Sequence, residues 1–149
     1  MINGRRASRQ ASGNIVQEKS HVFAVSIIQT TRRLQLEQRE WVLSKQLLRA
    51  GTSIGANVEE AIAAQSKKDF LSKMSIALKE ARETHYWLRL IRDSGLLNGA
   101  NSEAHLSACH ERLRLLNSIT LTTRHNLSTT ARGGRAHSTF IIPRSTLES

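Results

Sequence analysis

The chain has 149 residues and a single cysteine, with 22 Lys and Arg against 12 Asp and Glu, so its formal net charge at pH 7 is +10. This length predicts one domain that buries a core without disulfides. A single cysteine excludes an internal disulfide and is typical of a reducing compartment. The sequence shows no secretory leader and no apolar run that could cross a bilayer, so we expect a cytoplasmic protein with no membrane partner.

The basic residues are unevenly distributed along the chain. Residues 1–14 carry a formal charge of +3 from Arg5, Arg6 and Arg9, residues 130–149 carry +2, and +5 remains for the middle. Neither end has an apolar period, so the sequence predicts a disordered basic tail over 1–13, a folded unit over 14–128, and a disordered or irregular tail over 129–149. A charge of +5 attracts polyanions moderately, and a solvated basic face is the commoner meaning of such a value.

Two helices are predicted in the first part of the folded unit. Asn14 can cap the first helix, which ends near Gln38. Its apolar face is formed by Val16, Phe23, Ile27, Thr30 and Leu34. The second helix has one apolar stripe, formed by Leu43, Leu47, Ala50, Gly51, Ile54, Val58 and Ala61. A glycine inside a helix costs roughly 1 kcal/mol relative to alanine, so Gly51 indicates that a neighbouring helix approaches closely there.

Two further helices complete the predicted unit. Ser66 has capping-box spacing with Asp69 and begins the third helix, which Ser94-Gly95 ends. Its core face is formed by Phe70, Met74, Ala77, Leu78, Ala81, His85 and Leu88. Its opposite face carries an expected oligomer interface, formed by Ile76, Trp87 and Leu90. A fourth helix follows Asn98-Gly99, with an inner face formed by Leu106, Cys109, Leu113, Leu116, Thr120 and Leu127. The pattern predicts an all-α, antiparallel up-and-down four-helix bundle.

Several stretches of the chain resemble a known family. QLLRAGTSIGANVEEA at 46–61 and KKDFLSKMSIALKEARETHYWLRLI at 67–91 are similar to the four-helix bundle proteins encoded by intervening sequences within bacterial 23S rRNA genes. The similarity runs from about residue 14 to 120. The resemblance implies a bacterial, non-enzymatic homo-oligomer, with ring-like pentamers in related structures, that associates with RNA or DNA. A cousin serves as accessory protein to reverse transcriptases of diversity-generating retroelements, which implies a nucleoprotein or reverse-transcriptase partner.

Enzymatic and metal-binding patterns are incomplete. Residues 51–55, GTSIG, match G-x-S-x-G, but the nucleophile elbow needs a strand before the serine, and Ser53 is predicted inside a helix. Two groups of candidate metal ligands occur: Glu60, Glu80, Glu83 and His85 on adjacent helices, and His105, Cys109 and His110 on the fourth. Neither group has the spacing of a di-iron bundle or a closed zinc site. We therefore expect no catalytic, cofactor-binding or metal-binding residues in this chain.

Nucleic-acid binding is expected to use phosphate contacts, because no helix-turn-helix spacing, zinc finger or aromatic-rich strand motif offers base readout. The candidate residues are Lys45, Arg49, Lys67, Lys68, Lys73, Lys79 and Arg89. An oligomer would repeat these side chains and turn weak contacts into avidity. The alternative is that they are ordinary solubilising cations on a protein-interaction scaffold with no nucleic-acid role. Phosphate-driven binding weakens steeply with salt, whereas an apolar helix interface hardly responds.

Overall fold

The computed structural model describes the backbone from Ile2 to Ser145 and the side chains from Asn14 to Gly133. Four helices follow one another: α1 (Ile2–Glu37), α2 (Val42–Ile62), α3 (Lys67–Asp93) and α4 (Gly99–Ser145). Short turns join them, so neighbouring helices run antiparallel, and residues 2–145 contain no strand. This confirms the predicted all-α up-and-down bundle. Across the same residues, none of the helices combines the length and apolar character that crossing a bilayer requires.

The core follows the predicted apolar faces. The largest fully buried side chains come from every helix and include Phe23 and Ile27 of α1, Ile54 of α2, Met74 of α3 and Leu116 of α4. Buried side chains recur every three or four residues, which is the spacing of one helical face. Leu43, Phe70 and Leu113 pack against the margin of this core and are partly buried. The helical period therefore identified most of the interior, whereas His85 and Leu127, which were also predicted to face inward, are only partly buried.

The seam between α1 and α2 contains two glycines that bring the helices close together. A Cβ atom placed on Gly51 would lie 2.9 Å from Cγ2 of Ile27, and one placed on Gly55 would lie 3.6 Å from the Ser20 carbonyl oxygen. The close approach predicted at Gly51 is confirmed. The G-x-S-x-G match is thus a pair of small residues one helical turn apart, both facing α1, which lets the two backbones pack tightly.

The caps of α3 and α4 fix where these helices begin and end. Ser66 Oγ accepts a hydrogen bond from the Asp69 amide at 3.0 Å, as its spacing predicted. Gly95 closes α3 with a φ of +73°, which glycine adopts without strain. At the start of α4, Asn98 Oδ1 accepts from the Asn101 amide at 3.0 Å. These local contacts place the turns where the sequence indicated them.

The outer ends of α1 and α4 differ from the prediction. The helical backbone of α1 begins at Ile2 rather than Asn14, and that of α4 continues to Ser145 rather than stopping near 128. Backbone hydrogen bonds of a helix are local, so a packed helix can continue beyond its last core side chain. Val16 and Thr123 are the outermost buried residues of α1 and α4 among the described side chains. The division of the chain into tails and a folded unit stays a prediction, because the side chains of Arg5, Arg6 and Arg9 lie outside that range.

Candidate nucleic-acid interface

Arg49, one of the predicted phosphate ligands, is bound by acidic side chains across the α2–α3 groove. Its guanidinium forms an ion pair with Glu80 at 3.3 Å and a shorter one with Glu83. Glu83 also accepts a hydrogen bond from Trp87 Nε1 at 3.1 Å. The hydrogen bonds from Arg49 and Trp87 lower the pKa of the Glu83 carboxyl. Arg49 therefore has less capacity to attract a phosphate than its position in the sequence suggested.

Lys73 is neutralised in the same groove, because its ammonium lies 2.6 Å from a Glu60 carboxylate oxygen. Within the described side chains, the other predicted phosphate ligands form no ion pair and are exposed: Lys45, Lys67, Lys68, Lys79 and Arg89. The guanidinium of Arg89 lies 5.9 Å from the centre of the exposed Tyr86 ring. Of the seven predicted phosphate ligands, two are therefore paired with carboxylates and five are available to contact a phosphate.

Four of the exposed cations of α3 fall on one side of the helix, and Lys67 lies outside this arc. At about 100° per residue, Lys68, Lys79, Arg82 and Arg89 lie within about 80° of one another and away from the buried face. Arg114 and Arg124 are exposed on the neighbouring side of α4. We call these six residues the α3–α4 basic face. The helices are joined beneath it by an edge-to-face contact between His85 and His110, with ring centres 4.9 Å apart.

The acidic side chains nearest the α3–α4 basic face are paired with other cations, and Glu111, which lies close enough to Arg114 to sense its charge, binds Lys19. Glu80 and Glu83 of α3 turn to α2, and Asp93 and Glu103 bind Arg92 at the end of the bundle. The sequence has no Asp or Glu between Glu111 and Glu148. The pKa of His85 is lowered by burial and by the positive charges of His110, Arg89 and Arg92. Burial is the larger cause, and the smaller contribution of the three cations is consistent with basic surroundings on this side of the bundle.

The predicted oligomer interface on α3 is only partly exposed. Ile76 is 38% exposed, whereas Trp87 and Leu90 are half-buried. Trp87 packs against the core and donates to Glu83, so it contributes to the fold of the monomer. The three residues therefore form a less exposed apolar surface than the sequence pattern predicted.

Helix α1 exposes a second group of apolar side chains. Ile15, Val22 and Val25 are 48%, 59% and 41% exposed, and we call these three residues the α1 stripe. At about 100° per residue they lie within about 80° of one another and outside the core face, with the exposed Glu18 among them. An apolar strip turned away from the core of a bundle is typical of a protein–protein contact.

A buried arginine links α4 to α1. The side chain of Arg112 is only 7% exposed, and its guanidinium donates to the Lys19 carbonyl oxygen at 2.8 Å and to the Ala108 carbonyl oxygen at 2.9 Å. Its Cζ atom lies 5.3 Å from the centre of the Phe23 ring. Lys19 and Glu111 form an ion pair beside it. Arg112 is thus a structural residue, unlike the exposed arginines of the α3–α4 basic face.

The residues considered for catalysis or metal binding have structural partners. Ser53 lies in the middle of α2, where its hydroxyl donates to the Arg49 carbonyl oxygen at 2.6 Å. Burial raises the pKa of the Cys109 thiol to about 12, and the thiol donates to the Ala81 carbonyl oxygen at 3.3 Å. Such a thiol is a poor nucleophile and a poor metal ligand. Among the described side chains, no group of three or more His, Cys, Asp or Glu is placed to hold a metal ion.

The family model described as "23S rRNA-intervening sequence protein" matches residues 12–118, which include α2 and α3 in full and parts of α1 and α4. The chain belongs to this family. A crystal structure of a protein of unknown function from the S23 ribosomal protein family of Bacteroides thetaiotaomicron VPI-5482 is similar to it. The two are 47% identical, with a TM-score of 0.72 over 73% of this chain and 97% of the other. None of the curated proteins matches the chain.

Several candidate binding residues had not been singled out from the sequence. Arg82 completes the basic strip of α3 and could have been found from its spacing of seven residues to Arg89. Arg114 and Arg124 could have been found from the long acid-free segment of α4. The α1 stripe has the same helical period as the core, on the other side of the helix. The pairing of Arg49 gave no local signal, because its partners are more than thirty residues away.

Proposed function

We propose that this protein is a non-enzymatic, self-associating bundle that binds RNA or DNA by contacts between the α3–α4 basic face and backbone phosphates. One observation carries the proposal: six exposed cations lie on adjoining sides of α3 and α4, while Glu80 and Glu83 of α3 pair with α2 and Asp93 pairs with Arg92 at the end of the bundle. Exposed guanidinium and ammonium groups without carboxylate partners attract phosphates and release counterions when they bind. The described part has no element that would read bases, so the expected binding depends little on sequence.

Self-association supports this function because each added copy repeats the basic face. A single face with a few phosphate contacts binds weakly, whereas several faces on one assembly engage one strand together. We propose that the α1 stripe is the main contact between copies, since its side chains are more exposed than Ile76, Trp87 and Leu90 of α3. A ring such as a pentamer, a cytoplasmic location, and an accessory role beside a reverse transcriptase or in another nucleoprotein belong to the same proposal.

The binding experiment compares two double variants that remove the same charge. Arg82→Gln with Arg89→Gln removes two cations of the α3–α4 basic face, and Arg39→Gln with Lys45→Gln removes two exposed cations elsewhere. Affinity for a fluorescent single-stranded RNA is measured by polarisation across a range of salt concentrations. We expect the first variant to bind more weakly and to lower the slope of log K against log salt by about 0.7 for each phosphate that is no longer neutralised. The control should follow the unchanged protein.

Equal reductions of affinity in the two variants would show non-specific attraction to net charge and would contradict a defined face. Absence of salt-dependent binding to RNA or DNA would favour the alternative, a protein-interaction scaffold with no nucleic-acid role. Nuclease treatment before the experiment removes any bound strand that would hide the face.

The contact between copies is tested by light scattering on two variants. Val22→Glu with Val25→Glu places charge on the α1 stripe, and Ile76→Glu places charge on the exposed part of the α3 surface. Both sites are solvent-exposed in the monomer, so each variant should fold. We expect the α1 variant to lower the measured mass and the α3 variant to leave it unchanged. The reverse result would assign the interface to the α3 residues that the sequence first indicated.

A further inference from the structure

The seam between α1 and α4 opens into a cleft of about 540 Å³ near the end of the bundle that carries the α3–α4 turn. Residues between Ser26 and Arg33 line it from α1, and Asn101, Ala104 and His105 line it from the first turns of α4. Its floor is held by a contact of 2.7 Å between Thr30 Oγ1 and His105 Nε2. Clefts of this volume are within the range that accepts small ligands.

The charged side chains that line the cleft are both basic. Arg32 and Arg33 are exposed at its edge, and neither forms an ion pair with any described side chain. The first turn of α4 carries no acidic residue, and Glu103 is directed to Arg92 of α3. Glu37 lines an adjoining recess beyond Arg33. The cleft is therefore lined by two guanidinium groups and one imidazole, and the carboxylate of Glu37 shares a recess with Arg33 without forming an ion pair with it.

His105 reports the same electrostatic environment from inside the cleft. Burial lowers the pKa of its imidazole, and the positive charge of Arg33 lowers it further. An anion between Arg33 and His105 would relieve this unfavourable interaction between the two groups. It would also accept hydrogen bonds from the planar guanidinium forks, which match the oxygens of a phosphate group.

We propose that the α1–α4 cleft is a binding site for the phosphate group of a small phosphate ester, held by Arg32 and Arg33 with His105 beneath it. A phosphate fits this set better than a single carboxylate, because it offers three oxygens and up to two negative charges to two arginines. The volume leaves room for an ester of about mononucleotide size beside Ile28 and Ala104. The site goes beyond the proposed function, because the cleft lies on α1 and α4 while the basic face lies on α3 and α4.

Two kinds of ligand carry such a phosphate group: a free phosphate ester and the terminal phosphate of a nucleic-acid strand. Two experiments distinguish them. Adenosine monophosphate and inorganic phosphate are titrated into the purified, nuclease-treated assembly while the His105 ring proton is followed by NMR. We expect a saturable shift with adenosine monophosphate, and binding about tenfold weaker after Arg33→Gln. Arg132→Gln, which removes one exposed cation outside the cleft and outside the six residues of the α3–α4 basic face, serves as the matched control and should leave this binding unchanged.

The second experiment compares RNA strands that carry a 5′-phosphate or a 5′-hydroxyl group. A preference for the 5′-phosphate that disappears in Arg33→Gln would show that the cleft binds the end of a strand. Equal affinity for the two strands would show that the cleft binds the free ester instead. Lack of a saturable shift up to about 10 mM adenosine monophosphate would overturn the site. An equal reduction of affinity in the Arg33→Gln variant and in the control would also overturn the site. RNA binding through the α3–α4 basic face can succeed or fail independently of either result.

Discussion

The two seams of α1 differ in how they hold the bundle together. On the α2 side, Gly51 and Gly55 let a helix approach so closely that a Cβ atom on Gly51 would lie 2.9 Å from Ile27. On the α4 side, Arg112 and the Lys19–Glu111 ion pair bridge the helices, and a cleft opens between Ser26 and Asn101. The first seam is apolar and tightly packed, whereas the second is polar and has space. One helix can therefore anchor the fold on one side and offer a ligand site on the other.

The largest effect is expected from breaking the polar seam. Arg112→Ala removes a buried stem, its hydrogen bonds to carbonyl oxygens of α1 and α4, and its contact with the Phe23 ring. We expect the free energy of unfolding to fall by about 2–4 kcal/mol. Urea unfolding followed by circular dichroism measures this change.

Arg114→Ala is the control for this substitution, because Arg114 is an exposed arginine on the same helix. It should change the free energy of unfolding by no more than about 0.5 kcal/mol. Similar decreases in the two variants would mean that Arg112 is not the link between α4 and α1.

A smaller effect is expected from overfilling the glycine seam. Gly51→Ala gains about 1 kcal/mol of helix propensity, but its methyl group would collide with the branched, stiff side chain of Ile27. Overpacking costs typically 1–3 kcal/mol, so after the gain in propensity we expect a net decrease of up to about 2 kcal/mol in the free energy of unfolding. The measurement is the urea midpoint at constant m-value.

Gly55→Ala is the matched substitution four residues further along α2. Its methyl group would lie 3.6 Å from the Ser20 carbonyl oxygen, which is an ordinary contact, so we expect stability to be unchanged or to rise by up to about 1 kcal/mol. If both alanines stabilise the protein, the α1–α2 seam is looser than the structure shows.

The smallest effect is expected from pH. The pKa values of His85 and His105 are lowered below 6.5, in both cases first by burial and then by nearby positive charge. As the pH falls below 7, the unfolded chain takes up protons before these folded rings do, so the free energy of unfolding decreases. The decrease ends once the folded rings are also protonated.

Urea midpoints at pH 7.5 and 5.5 measure this decrease, and His85→Gln with His105→Gln should reduce it. The pKa values of the Glu83 and Glu111 carboxyls are lowered from 4.5. Protonation of these groups therefore adds little to the change in the free energy of unfolding between pH 7.5 and 5.5. A urea midpoint that rises on acidification would contradict the lowered pKa values of the two histidines.

Much of the fold was predictable because burial in a helix has a local period. Val16, Phe23, Ile27 and Leu34 were assigned to the core from spacing alone, and the cap at Ser66 and the close approach at Gly51 followed from residue type. The candidate site was less predictable. Lys79 and Arg89 were identified, but Arg49 and Lys73 were included although acids of a neighbouring helix neutralise them.

The sequence by itself determined four helices, their order, their inner faces and the position of each turn, because these depend on residues three or four positions apart. Only the tertiary structure decided which charges remain available, that Arg112 is buried, and that a cleft separates α1 from α4. These properties depend on the rotation and register of each helix against its neighbours, and small differences in either decide whether a carboxylate reaches a particular arginine. The charge of the basic face is therefore a consequence of packing as well as of composition.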